Sequence, residues 1–196
     1  MKPERLNAFS DGVIAIIITI MVLELKVPDA PTVEALVKVW PIFLSYVLSF
    51  TYVAIYWNNH HHLLHACKHV SGAILWANTH LLFWLSLIPF ATAWMGENHT
   101  AAIPAAIYGL ALLMPAIAYY ILQTLIVRTN GPNSRLAHVL GRDIKGKISP
   151  VLYLTGTAFA FVNPWISNLI YTAVALMWLV PDRRIERAIN EHLEAA

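Results

Sequence analysis

Cysteine and charge are both scarce in this sequence. A single cysteine, Cys67, stands among 196 residues, which excludes an internal disulfide framework and a metal site made of thiolates. Charged residues make up only 12% of the chain, whereas a soluble domain usually carries about 25%. Hydrophobic residues reach 58%. This balance excludes an ordinary soluble domain and predicts an all-α membrane protein with several spans and short loops.

Prolines and polar clusters divide the apolar sequence into six predicted transmembrane helices. Pro28 and Pro31 end the first helix, and Thr32 is a suitable N-cap for the second. The charge-free run of residues 148–180 would form one helix of about 50 Å, too long for a bilayer core of about 30 Å, so Asn163-Pro164 is expected to divide it. The predicted helices span residues 4–27, 33–65, 70–95, 101–128, 143–162 and 165–187 of a single domain covering 1–196.

Lysine and arginine are distributed unequally between the two sides that six spans would create. Only Lys26 and Lys38 lie on the side opposite the termini. Because cytoplasmic loops carry an excess of basic residues, both termini are predicted to be cytoplasmic. The other eleven basic residues lie on the side of the termini: Lys2, Arg5, Lys68, Arg128, Arg135, Arg142, Lys145, Lys147, Arg183, Arg184 and Arg187.

The first apolar stretch opens with Arg5, Asn7, Ser10 and Asp11. An ionisable side chain beside a membrane-length apolar run is costly, so it indicates a functional site. The spacing Arg5-xxx-Phe9-Ser10-Asp11 resembles the RxxxFSD signature that opens the first helix of the TMEM175 family of potassium channels. The resemblance implies a potassium-selective channel of the cell membrane, a homotetramer of single six-helix units, and a first helix that lines the pore.

One face of the first helix is apolar along its length. Ile16, Ile20 and Leu23 follow helical spacing, whereas Asp11 and Ile18 point the other way. Such a stripe by itself is typical of a surface that faces lipid or packs on other helices. The resemblance instead identifies it as the pore face.

The sequence has no TVGYG-like loop, so backbone carbonyls cannot form a filter of that kind and side chains must form the constriction. Rings of Ile16, Ile20 and Leu23 would make a hydrophobic neck in which an ion loses water. Potassium holds its water less tightly than sodium, so the neck favours potassium. The Thr19 hydroxyl is expected either to replace some of that water or to bond back to the helix. Glu24 is expected either to attract cations at the outer mouth or to be a solvated charge at the helix end.

The second helix ends with polar side chains at the cytoplasmic depth of the signature. The family has a Trp-xx-His-His stretch there, and Trp57, His60 and His61 match it. We expect one buried polar network that sets the position of the first helix. Its predicted members are Arg5, Asn7, Phe9, Ser10, Asp11, Trp57, His60 and His61.

Two other functions are compatible with parts of the sequence. His61 and His65 share a helical face, as in a membrane metalloenzyme, but the remaining histidines are scattered. A secondary transporter would need internal repeats and discontinuous helices, and six unbroken spans argue against it, although prolines within the spans, such as Pro89, could kink them. We therefore predict no enzyme activity, cofactor, bound metal or nucleic-acid partner, with potassium ions and the lipid bilayer as the partners.

Overall fold

The computed structural model describes residues 3–131 and 144–179. Within these ranges every regular element is a helix, which confirms the predicted all-α membrane fold. Predictions for residues outside these ranges, including the end of the sixth helix and the charges of Lys2, Arg135, Arg142, Arg183, Arg184 and Arg187, concern parts of the chain that are not described. The helices are α1 Pro3–Leu23, α2 Val33–His65, α3 Gly72–Ser86, α4 Ile88–Glu97, α5 Ala102–Asn130, α6 Ile144–Phe159 and α7 Pro164–Leu179.

Four helical stretches are long and apolar enough to cross a membrane: α1, α2, α3 together with α4, and α5. The α7 helix is apolar but shorter, and α6 carries Lys145 and Lys147 at its start. Along residues 3–131 and 144–179, six helical stretches thus follow one another, as predicted. The Thr32 side chain caps α2 by accepting a hydrogen bond of 3.3 Å from the Ala35 amide.

Three predictions about the helices need correction, and one of them is the end of the fifth predicted helix, which was expected at residue 162 but lies at Phe159. The first helix was expected to reach residue 27 but ends at Leu23. The residue before Pro28 is disfavoured in a helix, and Glu24 and Lys26 are exposed beyond the last turn. The third span is not unbroken, because Leu87 separates α3 from α4. Pro89 has no N–H to donate to a preceding carbonyl, so the helix is interrupted just before it.

Two large hydrophobic cores and a small alanine cluster lie among the described helices. The first core joins α1, α2, α3, the start of α4 and α5, with Ile14, Leu64 and Leu81 almost fully buried in it. The second lies among α2 and α4 to α7 and contains several tyrosines, among them Tyr171. A methyl group at Gly109 or Gly156 would collide with the Tyr171 side chain, so glycine permits α5, α6 and α7 to approach closely.

The ends of the helices define two sides of the bundle. The end of α2 meets the end of α5, where the Lys68 amide donates to the Asn130 side-chain oxygen at 3.2 Å. The start of α1 lies beside the end of α2, because Asp11 contacts Trp57. Arg5, Lys68 and the end of α5 therefore share one side, and the segment after α1 lies on the other.

Candidate functional site: the first helix and its contacts

The α1 helix has one buried and one exposed face. Leu6, Ile14, Ile17 and Met21 are buried in the first core. The predicted apolar stripe is the exposed face of the single chain, because exposure reaches 58% at Ile16, 42% at Ile20 and 79% at Leu23. These side chains therefore remain available to lipid, to another copy of the chain or to an ion path.

Thr19 lies on this exposed face, and its hydroxyl donates to the Ile16 carbonyl at 2.9 Å. This is the bond back to its own helix that the sequence predicts as one of the two roles of Thr19. Because a hydroxyl has two acceptor lone pairs as well as one proton, the Thr19 oxygen can still accept a hydrogen bond or contact a cation. The back-bond and a role on the ion path are thus compatible.

Glu24 is exposed just beyond the end of α1. Together with Ile16 and Ile20 it lines one wall of a groove, and Phe90 and Ala93 of α4 line the opposite wall. The carboxylate therefore stands at the end of the exposed apolar face that lies farther from Asp11. This is the place that a cation-attracting ring at the mouth would require.

Asp11 accepts two hydrogen bonds, one from within α1 and one that joins α1 to α2. The Asn7 amide donates to Asp11 Oδ2 at 3.1 Å, and the Trp57 indole donates to Asp11 Oδ1 at 2.9 Å. No histidine takes this position. The His61 ring lies beside Trp57, with centroids 6.1 Å apart.

Ser10 belongs to a second, fully buried chain of hydrogen bonds. The His60 ring nitrogen Nε2 lies 2.6 Å from Asn78 Oδ1, and the Asn78 amide donates to Ser10 Oγ at 2.9 Å. The Ser10 hydroxyl donates in turn to the Leu6 carbonyl at 2.8 Å. Since Asn78 Oδ1 can only accept, His60 Nε2 carries the proton. This chain links α1, α2 and α3 inside the core.

The residues predicted as one network do not form a single one, because Asn7, Asp11 and Trp57 are linked in one group, and Ser10 and His60 belong to a separate one. Arg5 and Phe9 are exposed, and neither Arg5 nor Asp11 forms an ion pair with any described residue. Sequence reasoning missed Asn78. The available signal was a lone amide within the charge-free, apolar α3, because a buried amide in a membrane helix needs a partner on another helix.

Replacing Asp11 by asparagine should weaken the α1–α2 contact without abolishing folding. The neutral amide keeps the shape of Asp11, but bonds to an ionised acceptor are about twice as strong as neutral ones. We expect a loss of about 1 kcal/mol, since the group is only partly buried. The measurement is the unfolding midpoint and the oligomer fraction of the purified variant. A normal assembly with altered ion selectivity would instead place Asp11 on the ion path.

The histidines at the end of α2 form a ring cluster but not a metal site. The His61 and His65 rings have centroids 4.5 Å apart. Among the described residues, no group of three or more histidine, cysteine, aspartate or glutamate side chains could hold a metal ion. Nearby Cys67 is buried, and burial raises the pKa of its thiol. Cys67 therefore has little thiolate at neutral pH.

An ion pair lies at the other side of the bundle, after α1. Lys26 Nζ is 2.6 Å from Glu97 Oε1, at the end of α4. This hydrogen bond and the charge of Glu97 raise the pKa of Lys26, and Asp29 and Glu24 raise it further. Lys26 is therefore a permanent cation close to Glu24.

Three relatives show what the chain is similar to. It is 54% identical to a potassium channel of Chryseobacterium sp. over 192 residues, which cover 98% of this chain and 100% of that relative. A potassium channel of Chamaesiphon minutus is 32% identical over 175 residues, or 83% of this chain and 86% of the relative. The endosomal/lysosomal proton channel TMEM175 of Homo sapiens is 34% identical over 103 residues, covering 46% of this chain and 20% of that protein.

A solved structure and a protein family are also similar to this chain. The chain is similar to the crystal structure of a lysosomal potassium-selective channel TMEM175 homolog from Chamaesiphon minutus, with a TM-score of 0.80 and 29% identity over 91% of this chain and 96% of that one. The family described as "Endosomal/lysosomal potassium channel TMEM175" matches residues 5–89. Because these proteins are channels, the metalloenzyme interpretation is excluded. The resemblance inferred from the RxxxFSD signature is confirmed, and the chain belongs to the TMEM175 family.

Proposed function

We propose that four copies of this chain form a potassium-selective channel, with the exposed face of α1 from each copy around the ion path. The proposal rests on the exposure of this apolar face. Ile16 and Leu23 remain 58% and 79% exposed after the chain has folded, beside a hydroxyl at Thr19 and a carboxylate at Glu24. The names of the bacterial relatives support potassium as the permeant ion.

Assembly is part of the proposal because one α1 helix cannot enclose an ion path. Four copies related by a closed rotation can, and closed cyclic symmetry is the usual form of a soluble homo-oligomer. The groove between α1 and α4 offers a place for a neighbouring copy beside Ile16 and Ile20. The mass of the purified complex in detergent tests this part, and any state other than a tetramer would contradict it.

Selectivity in this proposal comes from side chains. Among the described residues, the connections between helices are too short to hold a filter loop, and helix carbonyls already accept bonds within the helix. Aliphatic rings of Ile16, Ile20 and Leu23 offer an ion nothing in exchange for its water, which makes passage costly. The cost is lower for potassium than for sodium, and the Thr19 oxygen reduces it further.

The proposed orientation places both termini in the cytoplasm of a multi-pass protein of the cell membrane, with the Glu24 end of α1 outside. The distribution of lysine and arginine supports it. Arg5 and Lys68, at the side shared by the start of α1 and the end of α2, fit the same orientation.

The test is a planar-bilayer recording of the purified protein with potassium on one side and sodium on the other. A potassium-selective channel gives a reversal potential at which the potassium side is negative relative to the sodium side. A reversal potential near zero would contradict selectivity, and an absence of current would contradict the channel function. Protein heated to unfolding before reconstitution is the control for leakage of the bilayer.

A further inference from the structure

The ion pair between Lys26 and Glu97 connects the outer end of α1 to the outer end of α4. Both side chains keep access to water, with 63% of Lys26 and 43% of Glu97 exposed. Such a pair contributes little to stability, because water screens it and two long side chains must be ordered. Its charge, however, lies where an ion would enter the proposed pore.

Helical spacing places Glu97 on the face of α4 that borders the proposed ion path. Phe90, Ala93 and Glu97 are separated by three and four residues, so they share one face of α4. Phe90 and Ala93 line the groove whose other wall is formed by Ile16, Ile20 and Glu24. Glu97 continues this α4 face one turn further outward, past the end of α1.

The charges at this end do not cancel. Glu24 and Asp29 are negative and Lys26 is positive, which sums to −1 for the segment after α1; Glu97 brings the sum to −2. The charges of Asp29 and Glu24 also act on Lys26, so these groups are close enough to share one electrostatic field. Lys26 stays protonated at ordinary pH, and Glu97 is the group that directly offsets its charge.

We propose that Glu97 determines the conductance of the channel by neutralising Lys26 and so keeping the outer mouth negative. The inference rests on the proposed function, because it assigns Glu97 to the same ion path. A negative mouth raises the local concentration of cations and repels anions. No bound ion is required, since the effect is that of a field over the mouth.

The first experiment measures single-channel potassium current in symmetric solutions of about 10 mM and about 1 M potassium, because the Debye length falls from about 30 Å to about 3 Å between them. At low salt, Glu97→Gln should reduce the current at least about twofold, as expected for one charge at about 10 Å in water. Lys26→Gln should increase it. In high salt, all variants should equal the wild type.

The double variant K26Q/E97Q separates charge from structure. It removes the ion pair but keeps the net charge of the mouth, so a field effect predicts the current of the wild type. A structural role for the pair predicts that the double variant resembles Glu97→Gln. The matched control is Glu34→Gln, which removes the same charge from an exposed position at the start of α2. It should change the current less than Glu97→Gln does.

A second measurement does not depend on conduction. Val27 is 86% exposed, and a cysteine placed there in a Cys67→Ser background reports the local field. Rates of reaction with a cationic and an anionic methanethiosulfonate reagent are compared in the four charge variants. Glu97→Gln should lower the ratio of the cationic to the anionic rate about fourfold at low salt, since each reagent changes about twofold in opposite directions.

The outcomes are distinct for the two proposals. A wild type without potassium current overturns the channel function, and the ratio of the two reaction rates then still tests whether Glu97 keeps this end of the protein negative. An unchanged ratio in Glu97→Gln, a loss of current in the double variant, or an effect that persists at high salt overturns the role of Glu97. The role of Glu97 is supported if Glu97→Gln lowers the ratio of the cationic to the anionic rate and K26Q/E97Q restores it.

Discussion

Replacing Ile16 by asparagine should increase the single-channel potassium current and reduce the preference for potassium over sodium. An amide in the neck lets an ion keep part of its water, so the barrier falls for both ions and falls more for sodium. If the barrier for potassium drops by about 1 kcal/mol, the current rises about fivefold. Leu23→Asn should act in the same direction, because Leu23 is 79% exposed on the same face. Single-channel recordings with a potassium–sodium gradient measure both quantities.

Two control positions make this prediction specific to one face. Ile18 lies about 160° from Ile16 around the helix and packs against the first core. If Ile18→Asn still assembles, conduction should be unchanged. Val22 is 45% exposed, so Val22→Asn tests the effect of an exposed amide about 120° from Ile16. Equal effects at Ile16 and at either control would contradict the assigned pore face.

Replacing Asn78 by alanine should destabilise the protein more than any exposed substitution on α3. The change leaves His60 Nε2 without its acceptor and removes the donor to Ser10 Oγ, which keeps its own bond to the Leu6 carbonyl, and all three side chains are fully buried. An unpaired buried group costs about 1–3 kcal/mol, although bonds between membrane helices average about 0.6 kcal/mol. We expect a loss of about 1–3 kcal/mol in the free energy of unfolding, measured by denaturation in bicelles.

The neighbouring residue supplies the control for Asn78. Thr79 is exposed, and its hydroxyl bonds to the Leu75 carbonyl of its own helix at 3.0 Å. Thr79→Ala should therefore leave stability within about 0.5 kcal/mol of the wild type. If Asn78→Ala is equally mild, the link between α1, α2 and α3 does not set the position of α1.

The faces of α1 could be predicted because they depend on local spacing alone. Ile16, Ile20 and Leu23 recur with the period of a helix, and the same period places Ile14 and Met21 in the core. The pair Asn7 and Asp11 is similarly local, since residues four apart share a helical face. Such contacts do not depend on how the other helices are rotated.

The contacts between helices could only be predicted in part. The depth shared by Trp57, His60 and the signature follows from antiparallel helices. Which of these side chains contacts Asp11 depends on the rotation of α2 about its axis. In the structure the Trp57 indole donates to Asp11, and His60 contacts Asn78 instead. Asn78 was missed because α3 offers an almost uniformly apolar sequence with no clear face.

Prolines likewise indicate where a helix is weakened, but they do not determine whether the helix is interrupted there. Pro41 and Pro115 lie inside continuous helices, whereas the third span is interrupted before Pro89. Each proline removes one helix bond. Packing with neighbouring helices decides whether the chain resumes the same helix, and the sequence of one span does not contain that information.

The most direct test of the ion path is modification of a single cysteine on α1 during a recording. In a Cys67→Ser background, Leu23→Cys is exposed to a cationic methanethiosulfonate reagent added at the outer side, whereas Met21→Cys, at a position only 1% exposed, is the control. We predict that the reagent reduces the potassium current through Leu23→Cys and leaves Met21→Cys unchanged. A Leu23→Cys channel that is fully modified, as verified by mass spectrometry, yet conducts at its original level would contradict the assignment of this face to the pore.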